Sequence, residues 1–357
     1  MKKQLQIFLI LFMSGIGLVL SSCSDAPSPA TVYSSAENYL NEIGFSGSVL
    51  VNKGNTVLLK RGFGLADRGA GIQNDPTLIY RIGSITKSFT SAAIVNLKRD
   101  GLIESFDQPI SDFDDEFPKG DQITLHHLMT HHSGIRDYVG TAEAYAQANN
   151  HSFETDEIYE IITESINEDG LEFTPGDFFS YSNSNYFILG MLIEKLSGKT
   201  YQEYLQEKVY TPLNLTNTHK GWNEITGSDH AKGYHNGNQV EPYQMQIAFS
   251  AGEIESTISD LEKWGAAIMS SYFTAEEREA VLAAPIGQDG VNAPGAGWFT
   301  LNIEGQVVYH HGGDIQGFTS LLVLLPESHG IIILLSNEQD KGFERSQIME
   351  TLIKNEF

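Results

Sequence analysis

Residues 81–87, Arg81-Ile82-Gly83-Ser84-Ile85-Thr86-Lys87, decide how the rest of this chain is read. The stretch continues to Arg99 with apolar residues at Phe89, Ala93 and Leu97, ends in Lys98-Arg99 and stops at Gly101. Basic residues at the negative end and a glycine terminator predict a helix beginning at Ser84. Serine and lysine three apart then share one face, so the lysine nitrogen can sit beside the hydroxyl. A serine hydroxyl is a poor nucleophile until a neighbour takes its proton, and lysine does so only where burial or nearby cations depress its pKa. The helix N-terminus favours the anion that develops. By itself the pattern is met more often as a serine N-cap with an exposed lysine one turn on.

Two further stretches carry chemistry. Tyr181-Ser182-Asn183 follows Pro175-Gly176 and Phe178-Phe179 and precedes a helix predicted over residues 183–196. Residues two apart in an extended loop point the same way, so phenol and amide can enter one cleft. Tyrosine serves as a base if a cation such as Lys87 lowers its pKa, and asparagine offers a donor and an acceptor for a substrate carbonyl or for Lys87. His311-Gly312-Gly313 closes a strand predicted over Gln306–His310 and opens a glycine-rich turn reaching Gly317-Phe318. Glycines there let backbone approach a ligand, so the N–H of Asp314 can pair with that of Ser84 as an oxyanion hole, while His311 supplies a donor or a proton. Read singly, these are an aromatic packing residue with an Asn N-cap, and a hairpin end with a solvent-facing histidine.

Together, Ser-x-x-Lys, Tyr-x-Asn about a hundred residues on and His-Gly-Gly near the C-terminus resemble the motif order of the penicillin-recognising serine hydrolases. The resemblance is to the branch of class C β-lactamases, low-molecular-weight DD-peptidases, family VIII esterases and D-aminopeptidases, and it covers roughly residues 33–340. It implies Ser84 as acylated nucleophile and Lys87 with Tyr181 as a proton-handling pair whose base is left open. It further implies Asn183, His311 and Gly313 on the substrate side. The substrate implied is a small molecule or peptide, with neither cofactor nor metal. His311-Gly312-Gly313 stands where Lys-Thr-Gly is usual, so a permanent cation is replaced by a mostly neutral imidazole beside the acid Asp314. β-Lactam hydrolysis is therefore expected to be weak, with an ester or peptide amide as the substrate. A second reading, kept beside this one, is a non-catalytic module that binds peptidoglycan or peptide.

Outward from these motifs, the N-terminus is an address. Lys2 and Lys3 precede an apolar run from Ile7 to Leu20, too short for a comfortable span but suited to a secretory signal. Leu20-Ser21-Ser22-Cys23 resembles a bacterial lipobox, which implies cleavage before Cys23, its lipidation, and anchoring in the bacterial envelope, with Ser24 favouring the outer membrane. Ser-, Pro- and Ala-rich residues then read as a tether. The organisation expected is a signal peptide over 1–22, a tether over 23–35 and one hydrolase domain over 36–357. Within that domain an α/β part covers about 36–99 and 221–357, and a helical lobe about 100–220.

Composition agrees with an enzyme domain: 41% hydrophobic residues and 34 glycines are ordinary globular values, and 357 residues support a sizeable core. Against 22 Lys+Arg stand 46 Asp+Glu, a formal −24 that becomes −26 once Lys2 and Lys3 are removed, and such a surface repels nucleic acid. The single cysteine forms no internal disulfide. β-Rich runs near residues 45–65 and 297–336 flank helical stretches, one of them opened by a Thr257-x-x-Asp260 capping box. The fold expected is α/β (α+β): an antiparallel sheet from both chain ends, flanked by helices, with a mostly helical lobe. Oligomeric state is not legible. His126, His127, His131 and His132 have zinc-like spacing but no Glu of H-E-x-x-H, and Asp112 to Glu116 lack the glycine turn of a calcium loop.

Overall fold

The computed structural model describes residues 35–283, 292–339 and 345–357. Cys23, the signal and most of the tether lie outside these. The elements that frame the site are, in chain order, α1 (Ala36–Glu42), β1 (Gly47–Lys53), β2 (Thr56–Phe63), β3 (Tyr80–Arg81), α2 (Thr86–Arg99), α3 (Leu125–Met129), α4 (Val139–Asn149), α5 (Thr155–Asp169) and α6 (Asn183–Ser197). They continue with β4 (His219–Lys220), α7 (Met245–Gly252), β5 (Ile254–Ser256), α8 (Ile258–Met269), β6 (Ala293–Pro294), β7 (Phe299–Ile303), β8 (Gln306–Ile315), β9 (Phe318–Leu325), β10 (Gly330–Ser336) and α9 (Arg345–Glu356).

The runs at the two ends of the sequence form one antiparallel sheet of seven strands, ordered β6-β7-β8-β9-β10-β1-β2. The closing contact is β1 on β10, from Gly47 opposite Ser336 to Lys53 opposite Gly330. Side chains alternate across the sheet, so its two faces feed two cores. Val49, Val51, Val323 and Ile332 pack with Tyr39 and Leu40 of α1 and Leu352 of α9. Leu50, Leu322 and Ile333 pack against α2 and α8 on the other face. This α/β architecture, with helices of the 100–220 region beside the sheet, matches the expected fold class.

Three local expectations are corrected. The helix predicted to begin at Ser84 starts as α2 at Thr86, after a 3-10 turn, and every residue from Thr86 to Leu97 is buried, not only Phe89, Ala93 and Leu97. Its polar side chains are satisfied internally: Thr90 Oγ1 donates to the Ser250 carbonyl, Ser88 Oγ to that of Ile85, and Trp264 Nε1 to Ser88 Oγ. A helix so enclosed holds Ser84 rigidly. The strand expected to end at His310 runs on through Ile315, with Gln316-Gly317 making the turn, because Gly312 and Gly313 pair in register with Leu321 and Ser320 of β9. At α8, Thr257 caps Asp260 N, but the Asp260 carboxylate does not return to Thr257; it accepts instead from Asn217 N and Thr218 Oγ1.

Candidate active site

Ser84 sits in a 3-10 turn, Gly83–Ile85, that leads into α2. This turn is fastened on two sides, since Ile82 N donates to Ile254 O of β5 while the Ile82 carbonyl accepts from Ser320 Oγ of β9. β8 passes hard against it. A Cβ on Gly313 would lie 2.0 Å from Ile82 O and 2.8 Å from Ser84 N, and one on Gly83, φ +51, would lie 2.9 Å from Asp314 N. Glycine is what permits this approach, and it brings the backbone of Ser84 and Asp314 together.

Lys87, fully buried, reaches three oxygens: Ser84 Oγ at 3.0 Å, Asn183 Oδ1 at 2.7 Å and the Ala251 carbonyl at 2.8 Å. Asn183 and Ala251 can only accept at those atoms, so a neutral amine gives them its two hydrogens and turns its lone pair to the Ser84 hydroxyl. Burial supplies that neutral state, pulling Lys87 down to about 7 against an opposing pull from Asp137. Asp137 was not found by sequence reasoning. Its carboxylate accepts from both Asn183 N and Nδ2, at 2.6 and 2.8 Å, so the Asn183 amide is committed to Lys87 on one side and Asp137 on the other. Asn183 thereby positions the lysine while also lining the cleft beside Ser84.

The Ala251 carbonyl was also missed. It follows Phe249, a buried residue at φ 36 and ψ −139 inside α7, a conformation that costs a non-glycine residue about 1–3 kcal/mol. The kink breaks the helix and presents the Ser250 and Ala251 carbonyls to Thr90 and Lys87.

Tyr181 is 37% exposed, yet its hydroxyl end lies deep enough to hydrogen-bond Ser84, and burial raises the phenol above its ordinary value. It therefore stays protonated beside an amine that loses its proton near neutrality. Under its ring lies His131, stacked at 4.3 Å between centroids, with Nδ1 accepting from Ser182 N. His127 caps α3, so two of the zinc-spaced histidines have structural roles.

His311 is buried and lines the cleft with Ser84 and Tyr181. Burial, reinforced by Lys87, pushes it down to about 3, so near neutrality the ring is uncharged, and the solvent-facing histidine of the alternative reading is not found. Its Nδ1–H donates to Gly312 O at 2.6 Å. The cation missing from this strand comes from α9: Arg345 stacks near Gly312, donates to Gly313 O at 3.2 Å and pairs with Asp314 Oδ2 at 2.7 Å. Nothing in the sequence around residue 345 signalled this, because only the fold returns α9 to the strand.

Two arms of the cleft meet at Ser84 and Asp314. One, about 450 Å³, is lined by Tyr181, Phe299, His311 and Arg345. The larger, about 700 Å³, is lined by Tyr138, Glu143, Asn183, Gln239 and Tyr243. A carbonyl placed at the junction has the Ser84 hydroxyl, the Lys87 amine and backbone N–H groups within reach.

Known proteins share this arrangement of chain. PbpX of Bacillus subtilis is 28% identical over 316 residues, covering 85% of this chain and 74% of that protein. The structure of the octameric penicillin-binding protein homologue from Pyrococcus abyssi superposes with a TM-score of 0.77 at 28% identity, over 89% of this chain and 76% of that one. The D-amino acid amidase from Ochrobactrum anthropi SV3, complexed with L-phenylalanine amide, gives 0.75 at 21% identity, over 90% and 98% of the two chains. The sequence model of the beta-lactamase family matches residues 38–353, from α1 into α9, and the chain is thereby a member of that family and of its serine hydrolase superfamily.

Proposed function

We propose that this protein is an envelope-anchored hydrolase that cleaves a peptide-type amide or an ester through an acyl-enzyme on Ser84. The observation that carries the reading is a fully buried Lys87 3.0 Å from Ser84 Oγ, with Asn183 Oδ1 and the Ala251 carbonyl as its other partners; once neutral, the amine spends two hydrogens on these and has its lone pair for the Ser84 proton. In the first step Lys87 takes that proton, Ser84 Oγ bonds to the substrate carbonyl carbon, and the oxyanion faces the N–H groups of Ser84 and Asp314. The C–N or C–O bond then breaks as the leaving group takes a proton through the Tyr181 hydroxyl. Water, deprotonated by the same pair, releases the acyl group and regenerates Ser84.

Arg345 supports a leaving group without charge. Its guanidinium is already paired with Asp314, so a substrate carboxylate in the smaller arm would compete with a built-in one. An amide or ester meets no such competition, and β-lactam turnover is expected to be weak. At 21% identity the D-amino acid amidase shares the fold, and the preference for a neutral leaving group rests on Arg345.

The test is intact mass after exposure to a serine-directed fluorophosphonate. One adduct on the wild type and none on Ser84→Ala is expected, followed by turnover of D-amino-acid amides or esters well above that of nitrocefin. A folded wild type that takes no adduct would remove the catalytic reading and leave the peptide-binding one.

Anchoring is proposed through Cys23, with residues 24–35 as the tether to α1, at the periplasmic side or surface of an outer membrane. Among the described residues no helix is long and apolar enough to cross a membrane. The full chain is expected to partition into detergent and incorporate labelled fatty acid, and Cys23→Ala to do neither; unchanged labelling of the variant would refute the anchor.

A further inference from the structure

Outside the cleft, β3, β5 and β4 form a small sheet on which His219, His230 and Glu255 converge, with one ligand-capable atom from each within 4.8 Å of the others. The geometry points to a binding site for one divalent transition-metal ion of the zinc type, held by His219 Nε2, His230 Nε2 and Glu255, with a fourth position for water.

The tautomers are set for this. His230 Nδ1 lies 2.7 Å from Asp229 Oδ1, and His219 Nδ1 lies 2.9 Å from the Lys220 carbonyl. A carboxylate and a carbonyl only accept, so each Nδ1 carries a hydrogen, and the neutral form of each ring has its lone pair on Nε2; on His230 the two flanking carboxylates raise the ring's affinity for a cation, proton or metal. An imidazole whose outer N–H is held by a carboxylate or backbone carbonyl is the arrangement of metal-ligating histidines, where the outer partner orients the ring and raises its basicity.

The inner atoms have only each other. Glu255 is fully buried, and its Oε2 lies 3.3 Å from His230 Nε2, at ion-pair distance; neither atom has a further hydrogen-bond partner. That separation is close to the edge of a tetrahedron whose ligand bonds are about 2.0–2.1 Å long, as around zinc. Two nitrogens and one carboxylate oxygen are also a donor set that zinc accepts with an open position.

Charge is compatible. Glu255 Oε1 is 3.4 Å from Arg81 Nε, so the guanidinium occupies one carboxylate oxygen and leaves the other. Lys220, the nearest other cation in sequence, turns to Glu253 at 3.6 Å. Asp229 supplies a second negative charge, and the formal −24 of the whole chain favours cations. The competing arrangement is a proton on His230 making a plain ion pair with Glu255. A bound ion would tie β4 to β5, whose Ile254 carbonyl holds the turn before Ser84.

Sequence reasoning looked for a metal among residues 126–132 and expected none; the site inferred here is assembled from three separate segments. Its test is a titration of the full detergent-solubilised chain with Co²⁺, read by the visible absorption of the tetrahedral ion and by displacement with Zn²⁺. One Co²⁺ per chain is expected, with a rise in melting temperature on Zn²⁺ addition. His219 and Asp229 are partly exposed, so their variants test the site without emptying the core. His219→Ala should abolish the band, and Asp229→Ala should weaken binding by about 10–100-fold as an outer partner does, with circular dichroism unchanged in both. Absence of binding to the wild type at tenfold excess, or equal binding by His219→Ala, overturns the proposal in favour of the proton.

Discussion

Replacing Lys87 with methionine is expected to slow acylation of Ser84 by about 10³-fold, within the about 10²–10⁴-fold range for a positioned general base. Methionine fills a similar volume and brings no amine into a fully buried position, so the fold should survive and the loss should fall on chemistry. The pH dependence identifies the base. An amine accepts a proton only when neutral, and Lys87 is drawn down to about 7. The wild-type acylation rate should therefore rise tenfold per pH unit below about 7 and level off above it, and Lys87→Met should lack that limb. Were Tyr181 the base, the limb would lie far higher, since burial raises its phenol. Asp137 raises the lysine, so Asp137→Asn should move the limb to lower pH while keeping an acceptor for Asn183. A limb that stays in place in Asp137→Asn, or survives in Lys87→Met, would exclude Lys87 as the base. The measurement is the rate of fluorophosphonate adduct formation from pH 5 to 9.

Gly313→Ala should be nearly as damaging, by a different route. Its Cβ would sit 2.0 Å from Ile82 O and 2.6 Å from Ser320 Oγ, and the first of these is backbone in a turn fastened to β5 and β9. β8 must then withdraw, carrying Asp314 N away from Ser84. Loss of one oxyanion donor costs about 10²–10³-fold in kcat, and forcing a side chain into such a contact costs about 1–3 kcal/mol of stability. Gly312→Ala is the control. Its Cβ would meet only the guanidinium of Arg345 at 3.0 Å, the far end of a flexible side chain. A small effect at residue 312 beside a large one at 313, in both turnover and melting temperature, is the expected pair. Equal effects would mean that the strand does not serve the oxyanion.

Most of what the sequence disclosed was local. Ser84 and Lys87 were readable because three residues on a helix place two side chains on one face, whatever surrounds the helix. The β-rich run that became β1 and β2 and the cap at Thr257 were readable for the same reason, since each depends on neighbours within a few positions. The reach of β8 was underestimated because two glycines read as a turn, and only pairing with β9 showed that they were chosen for a close approach. The enclosure of α2 was illegible for the same reason: Trp264, Ser250 and Tyr186, which satisfy Ser88, Thr90 and Ser91, come from distant segments.

By itself, then, the chain determined its class and the three stretches, around Ser84, Tyr181 and His311, that meet in one cleft, because spacing, capping and turn chemistry act over a few residues. Tertiary structure alone decided the protonation of that site and its accessory groups. Asp137 under Asn183, the Ala251 carbonyl behind a strained Phe249, Arg345 on Asp314, and His219 beside Glu255 are partners from distant segments. Burial and charge–charge contact, which set pKa values and ligand geometry, exist only after long-range packing has excluded water and fixed those neighbours within a few ångströms.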